Sequence, residues 1–477
     1  MTTMQLSMLW AMASTGAADP GDLLEDEAEV VWTVSGTVGT FGWVTEPIGD
    51  LDGDGVRDVI TGAPFDGGGV VVVLSGATGA EIDRVASEVA VAQLSYALST
   101  AGDVNDDGVE DIVAGAPNAG SGQVLVLDGA TREVLHDWTG DQPGDRLGEA
   151  VCDVGDVNGD GFDDVGVAAQ DHDAGGTNAG RVQIRSGADG AVLLTLDGTE
   201  GAGLASIADM DGDGLRDLIV GAADAGLQNE GAVSVFSSAS GAVLLGPLGP
   251  GPTGADLGRW FVGDPGDLNG DGVPDVFAGD FSADGANGLA LVFSGADGTE
   301  LHRIEGRRAE GLGVGREAGD VDGDGVGDLA VGSWQHPRGA PGAGRVRVYS
   351  GADASVVAVW TSVEPGENLG FDAVGLDDVD GDGIQDILAS GATGNNVYVL
   401  KGRRPEPETT EPTDGTDGTD GTDGTGTAPT DTDEGGGGCG CVSSPTTGGP
   451  PGAAVSGLGL LLIGLLRARR GRGTPRA

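Results

Sequence analysis

Apolar residues in this chain fall in short runs, not in helical stripes. "DVITGAP" (Asp58–Pro64) is followed by "VVVVLSGATG" (Val70–Gly79) and "EIDRVAS" (Glu81–Ser87). The same order returns as "DIVAGAP" (Asp111–Pro117), "SGQVLVLDGAT" (Ser121–Thr131) and "EVLHDWTG" (Glu133–Gly140). Runs this short, rich in Val, Ile and Leu and bounded by Gly, Asp, Asn or Ser, predict β-strands. Turns such as "SGATG" suit tight hairpins, where glycine takes positive φ without steric cost.

One acidic stretch punctuates the pattern. "DLDGDGVRD" starts at Asp50, and related nonamers start at Asp103, Asp156, Asp209, Asp267, Asp320 and Asp378. The spacings are 53, 53, 53, 58, 53 and 58 residues, and every copy has aspartate at positions 1, 5 and 9. Seven copies at nearly constant spacing mark a repeat architecture. Each repeat holds a short segment ending near Phe-Gly or Leu-Gly, as in Phe41-Gly42 and Leu147-Gly148, then the acidic loop and three strand-like runs. The fold class this predicts is all-β: a seven-bladed β-propeller of four-stranded antiparallel blades. A linear solenoid is the rival. The seventh repeat ends after "NNVYVLKG" (Asn395–Gly402) without a fourth strand, while "EVVWTVSG" (Glu29–Gly36) is spare at the start. The amino-terminal strand is therefore expected to close blade seven and to protect otherwise free edges.

The nonamer has the composition of a calcium loop. Calcium takes six to eight oxygen ligands in irregular geometry. Side chains at positions 1, 3, 5 and 9 and the carbonyl at position 7 would supply them, and Gly at position 6 permits the turn. In repeat one these are Asp50, Asp52, Asp54, Val56 and Asp58; in repeat two, Asp103, Asn105, Asp107, Val109 and Asp111. Repeat three offers Asp156, Asn158, Asp160, Phe162 and Asp164; repeat four, Asp209, Asp211, Asp213, Leu215 and Asp217. Repeat five offers Asp267, Asn269, Asp271, Val273 and Asp275; repeat six, Asp320, Asp322, Asp324, Val326 and Asp328. Repeat seven offers Asp378, Asp380, Asp382, Ile384 and Asp386. An all-oxygen set without His or Cys argues against zinc and copper. An EF-hand needs a glutamate at position 12, where this chain has Thr61, Ala114, Val167, Val220, Ala278, Val331 and Ala389. The position-9 aspartate is expected to be the bidentate ligand instead. The rival reading of one such loop is a metal-free acidic turn held by Asx hydrogen bonds.

Phe41-Gly42, the calcium loop and Gly62-Ala63-Pro64, repeated with Gly115-Ala116-Pro117, resemble the FG-GAP repeat of integrin alpha-subunit propellers. The resemblance covers residues 29–402. It departs at Ala168-Ala169-Gln170 and Gly332-Ser333-Trp334. It implies a calcium-binding propeller acting as an adhesion or ligand-binding module. The extra calcium loops and the lack of integrin-type leg domains keep integrin biology itself from being carried over.

Composition sharpens this picture. The chain has 477 residues and a formal net charge of -54. That argues against a nucleic-acid partner, which needs a basic face. Seven occupied calcium loops would bring the charge to -40. Cys152 reads as a small core residue. Residues 1–18 resemble a secretory signal, without the usual basic residues at its start. Residues 403–438 are Gly/Thr/Asp/Pro-rich and read as a disordered acidic spacer. Residues 439–477 hold Cys439, Cys441, a short apolar run and an Arg-rich tail. This layout resembles the myxobacterial C-terminal sorting signal, which implies export, anchor processing at Cys439 or Cys441, and attachment to the outer membrane or cell surface. Metal binding or a disulfide is the alternative for those two thiols.

His136, His172, His302 and His336 fall in different repeats and at non-equivalent positions, and no G-x-S-x-G or HExxH motif occurs. A non-enzymatic surface module with an extracellular protein or polysaccharide ligand is the expected function. A propeller-borne enzyme acting on polysaccharide or lipid, or a passive coat protein, is the alternative. The longest connections between second and third strands, 168–180 and 333–344, offer Trp334, His336 and Arg338 as ligand contacts.

Overall fold

The computed structural model describes residues 23–404, apart from 26–27, 38, 227–229 and 250–255. Seven four-stranded antiparallel sheets follow one another along the described chain. In blade two the strands are Ala97–Gly102, Asp111–Ala116, Gln123–Leu127 and Val134–Thr139, each paired with the next. They differ in burial for a simple reason. The second strand of a blade lies under both neighbouring blades, so Asp111–Ala116 is buried throughout and reads as an unbroken apolar run. The fourth strand is outermost, so Val134–Thr139 is largely solvated and mixes charged with apolar residues.

The core is divided among the seven blade interfaces. Val113, Val124, Val126 and Trp138 of blade two meet Val151, Val165 and Val167 of blade three. Ala330, Val346, Val348 and Trp360 of blade six meet Ala373, Ile387 and Tyr398 of blade seven. Five further clusters of the same kind fill the remaining interfaces. Each blade thus buries both of its faces against its neighbours, and no blade has a complete core alone.

The Phe/Leu-Gly and Gly-Ala-Pro elements of successive repeats meet across these interfaces. A Cβ on Gly115 would lie 2.1 Å from the carbonyl oxygen of Gly148, whose own φ is +88°. Gly332 and Gly370 make the same approach, at 2.1 Å, between blades six and seven. These glycines let two backbones touch where any side chain would force the blades apart.

The ring closes as the repeat phase predicts. Val30–Ser35 pairs antiparallel with Asn396–Leu400, setting Val34 opposite Val397 and Ser35 opposite Asn396. It is the fourth strand of the last blade. Cys152 is buried and unbridged between blades three and four. No helix among the described residues is long and apolar enough to cross a membrane. The signal expected over residues 1–18, the spacer beyond residue 404 and the segment with Cys439 and Cys441 lie outside the described residues.

Candidate metal centre

Each acidic nonamer joins the first strand of a blade to the second, so all seven sit on one face of the ring. The position-1 carboxylate is the hub. Asp50 accepts the main-chain N–H groups of Gly53 at 2.7 Å, Asp54 at 3.1 Å and Gly55 at 2.8 Å. The bond from the position-6 glycine recurs in all seven loops at 2.7–3.0 Å. The position-5 carboxylate accepts the position-7 N–H in all seven, at 2.7–3.0 Å. Gly55 takes φ +91°, which the reversal of the chain requires. Donation from Gly55 holds Asp50 below the ordinary carboxylate range, and Gly214 does the same for Asp209.

Position 9 is different in kind. All seven of these aspartates are fully buried. One oxygen accepts the position-2 N–H at 2.7–3.0 Å. The other accepts an N–H just past the third strand of the same blade, at 2.7–3.3 Å. The residue expected as the bidentate ligand is thus also a staple between loop and hairpin. Burial pushes Asp111 up to about 7 and Asp164, Asp217 and Asp328 up to about 6, against the pull of those N–H groups.

Positions 1, 3 and 9 converge. In the loops with aspartate at position 3, ligand oxygens of Asp50, Asp52 and Asp58 lie within 4.8 Å of one another. So do those of Asp209, Asp211 and Asp217, of Asp320, Asp322 and Asp328, and of Asp378, Asp380 and Asp386. The position-5 aspartates are not part of these groups. Loops two, three and five carry Asn105, Asn158 and Asn269 at position 3, and each amide oxygen accepts the position-5 N–H at 2.9 Å, as the aspartates do. Hard oxygen donors gathered around a sharp glycine turn fit a divalent cation.

The FG-GAP repeat profile matches residues 95–127, 201–236 and 317–349. The chain is 32% identical to integrin alpha-5 of Xenopus laevis over 216 residues, 41% of this chain and 20% of that one. It is 28% identical to integrin alpha-V of Gallus gallus over 40% of this chain and 20% of that protein. The matched region thus spans about a fifth of those relatives. The crystal structure of BBS1N in complex with ARL6DN, soaked with mercury, superposes with a TM-score of 0.52 at 11% identity. That match covers 80% of this chain and 98% of the other, and shows the fold alone.

The chain is an integrin-alpha-like propeller of FG-GAP repeats.

Loop seven of the FG-GAP propeller differs from the rest. The ammonium group of Lys401, just past the last strand, pairs with Asp380 and sits 2.9 Å from Asp382. A cation of the chain's own therefore lies on the carboxylates of positions 3 and 5. Near the axis, Arg316 of blade six reaches Glu46 of blade one at 2.5 Å and Asp372 of blade seven at 3.2 Å. Three carboxylates, counting Glu317, share this one guanidinium, and burial carries Glu46 up to about 7. Neither Lys401 nor the Arg316 group stood out in the sequence. The signal for Lys401 was its place directly after the final strand.

The opposite face corrects two expectations. Trp334 is only 6% exposed and is not a free contact on its loop. Trp43, Trp260, Phe281, Trp334 and Phe371 form a closed circuit of ring contacts, with centroids 5.0–6.4 Å apart. These rings come from blades one, five, six and seven, so the circuit spans the axis and draws Trp334 inward. The histidines also fall into equivalent pairs. His136 and His302 lie on fourth strands, each with Nε2 against a carbonyl of the next blade, Gly187 at 2.5 Å or Gly351 at 2.6 Å. His172 and His336 each lie three residues past a second strand, with Nδ1 accepting a main-chain N–H from Ala174 or Arg338. A connection between second and third strands that is two residues longer in repeat five than in repeat two hides the first pair in the sequence. Different neighbouring residues hide the second.

Proposed function

We propose that this protein is a non-enzymatic, exported, surface-associated module for adhesion or ligand binding, and that calcium in its seven acidic loops stabilises the ring. The observation that carries this reading is one acidic loop built seven times with the same hydrogen bonds. Similarity to integrin alpha chains supports the adhesive role and the extracellular setting. The residues that would hold the ion are the position-1, -3, -5 and -9 side chains and the position-7 carbonyl, from Asp50 to Asp386. Bound calcium supplies positive charge against four ligand side chains per loop. The chain's part is to hold those oxygens in place, through glycine turns and the buried staple at position 9. Attachment through the segment 439–477, with processing at Cys439 or Cys441, belongs to the same proposal.

Thermal melting of the full chain across a calcium titration tests it. Each site held at a hundredfold its Kd adds about 2.7 kcal/mol, so the melting temperature should climb by many degrees and fall back with chelator. A melt indifferent to both calcium and chelator would overturn the proposal.

A further inference from the structure

A cleft of about 650 Å³ opens between blades five and six. Arg307, Arg308, Arg338 and Arg347 line it, with Tyr349, His336, Glu305 and Glu310. In a chain of 23 Lys+Arg against 77 Asp+Glu, such a concentration of arginine needs a reason.

The ring carries its own comparison at blade three. His172 and His336 are equivalent, and so are Arg181 and Arg345, the first residues of the two third strands. In blade three Arg181 is neutralised by Asp197 at 2.6 Å and Asp141 at 2.8 Å. In blade six the residue facing Arg345 across the strand pair is Thr361, whose hydroxyl accepts from Nε at 2.7 Å. Gly306 matches Gly140, each donating its N–H to a glycine before the third strand of its own blade, and the shorter connection that follows has no acid in the place of Asp141. The buried Arg345, 4% exposed, is left with an Nη2 that has no partner among the described residues. The backbone frame is otherwise kept: Gln142 donates its N–H to Asp145 at 2.8 Å, and Arg307 donates its own to Glu310 at 2.9 Å. On that frame Gln142 becomes Arg307, Ala174 becomes Arg338 and Gln183 becomes Arg347. Blade six has thus lost two acids and gained three arginines, beside Arg308, with a connection one residue shorter.

The carboxylates facing this group are Glu305, Glu310, which lies 3.3 Å from His336 Nε2, and Glu25, 4.0 Å from Arg338. Four lining arginines against three acids leave the cleft positive. Guanidinium forks match tetrahedral oxyanions bidentately. Tyr349, Pro337, Val356 and Ile304 add an aromatic and apolar wall, and the volume lies in the range of small-molecule sites. The charge of -54 repels a long polyanion, whereas a short one held in the cleft meets chiefly the charges that line it, because more distant ones are screened beyond about 8 Å.

We propose that this cleft binds a short saccharide bearing sulfate or phosphate esters, with the esters on Arg307, Arg308, Arg338 and Arg347 and the sugar against the exposed Pro337 and Val356. This names the ligand class of the adhesion module proposed above and rests on that reading. Calorimetry on the full chain in saturating calcium tests it, with a heparin-derived trisulfated disaccharide, its desulfated form and inorganic sulfate as probes. The sulfated disaccharide should bind at least tenfold more tightly than inorganic sulfate, and the desulfated form should not bind. Arg307→Gln with Arg347→Gln, which installs the blade-three residues, should weaken binding at least tenfold with no change in melting temperature. Absence of binding, or binding untouched by the double substitution, would overturn the site. Inorganic sulfate binding as tightly as the disaccharide would overturn the saccharide. In each of these cases the calcium-dependent melt would stand, so failure of the cleft and failure of the calcium-stabilised module are told apart.

Discussion

Asp111 shows how much one residue of the repeat does. Its two oxygens hold Val104 N–H at 2.9 Å and Gly129 N–H at 2.7 Å, so it joins the acidic loop to the far hairpin of its blade. Asp111→Ala would orphan two buried donors, at about 1–3 kcal/mol each. The loss should be visible as a lower melting temperature in chelator as well as in calcium, which separates the staple from a ligand role. Lys401 is the opposite case, a residue that competes with the cation. Lys401→Gln frees Asp380 and Asp382, and calcium or terbium titration should count one stronger site than in the unaltered chain. The aspartates at positions 1, 5 and 9 were legible at this scale because their spacing is invariant. The occupation of loop seven by Lys401 was not, since Lys401 lies 15 residues beyond Asp386 in the chain.

At the scale of elements, the strands and their order were legible from run length and turn residues. The closing strand was legible as well, because the count of runs left one spare at the start and one missing at the end. Its removal tests the closure: a chain lacking residues 29–36 exposes the edge strand Asn396–Leu400 and uncovers Val397 and Val399. It should melt well below the full chain in a broader transition, as read by circular dichroism. A melt unchanged in midpoint and width would refute the closure. The inter-blade glycines make a second test. Gly115→Ala puts a methyl group 2.1 Å from Gly148 O, and overpacking of this kind costs about 1–3 kcal/mol. The motif name was readable in the sequence, but its physical sense was not. The Gly of one repeat meets the Gly of the next only once the blades are stacked.

The whole molecule adds what neither residue nor strand contains. Arg316, Glu46 and Asp372 come from three blades and meet near the axis. Burial raises the Glu46 pKa to about 7 in the folded state, above its ordinary value. An acid whose folded pKa is raised binds its proton more tightly when folded, so stability falls as pH climbs from about 4.5 to about 7 and is level above. In saturating calcium, Glu46→Gln should flatten the part of the melting profile between pH 5 and 7 that Glu46 causes. A pH profile identical to that of the unaltered chain would refute the assignment. The aromatic circuit belongs to this scale too. Trp43, Trp260 and Trp334 are hundreds of residues apart in some pairings, and no local pattern marks them as one group.

The sequence alone determined the repeat, the four-strand blade, the seven acidic loops and the strand that closes the ring. Each of these is written in local periodicity, because a strand, a turn and a nonamer of oxygen donors are made of residues close in the chain. The tertiary structure alone decided which residues meet across blades. It turned Trp334 inward to a shared aromatic circuit, paired the histidines by position, placed Lys401 on loop seven, and gathered Arg307, Arg308, Arg338 and Arg347 around one cleft. Those contacts depend on how the blades pack around a common axis, and a single repeat carries no record of its neighbour's side chains.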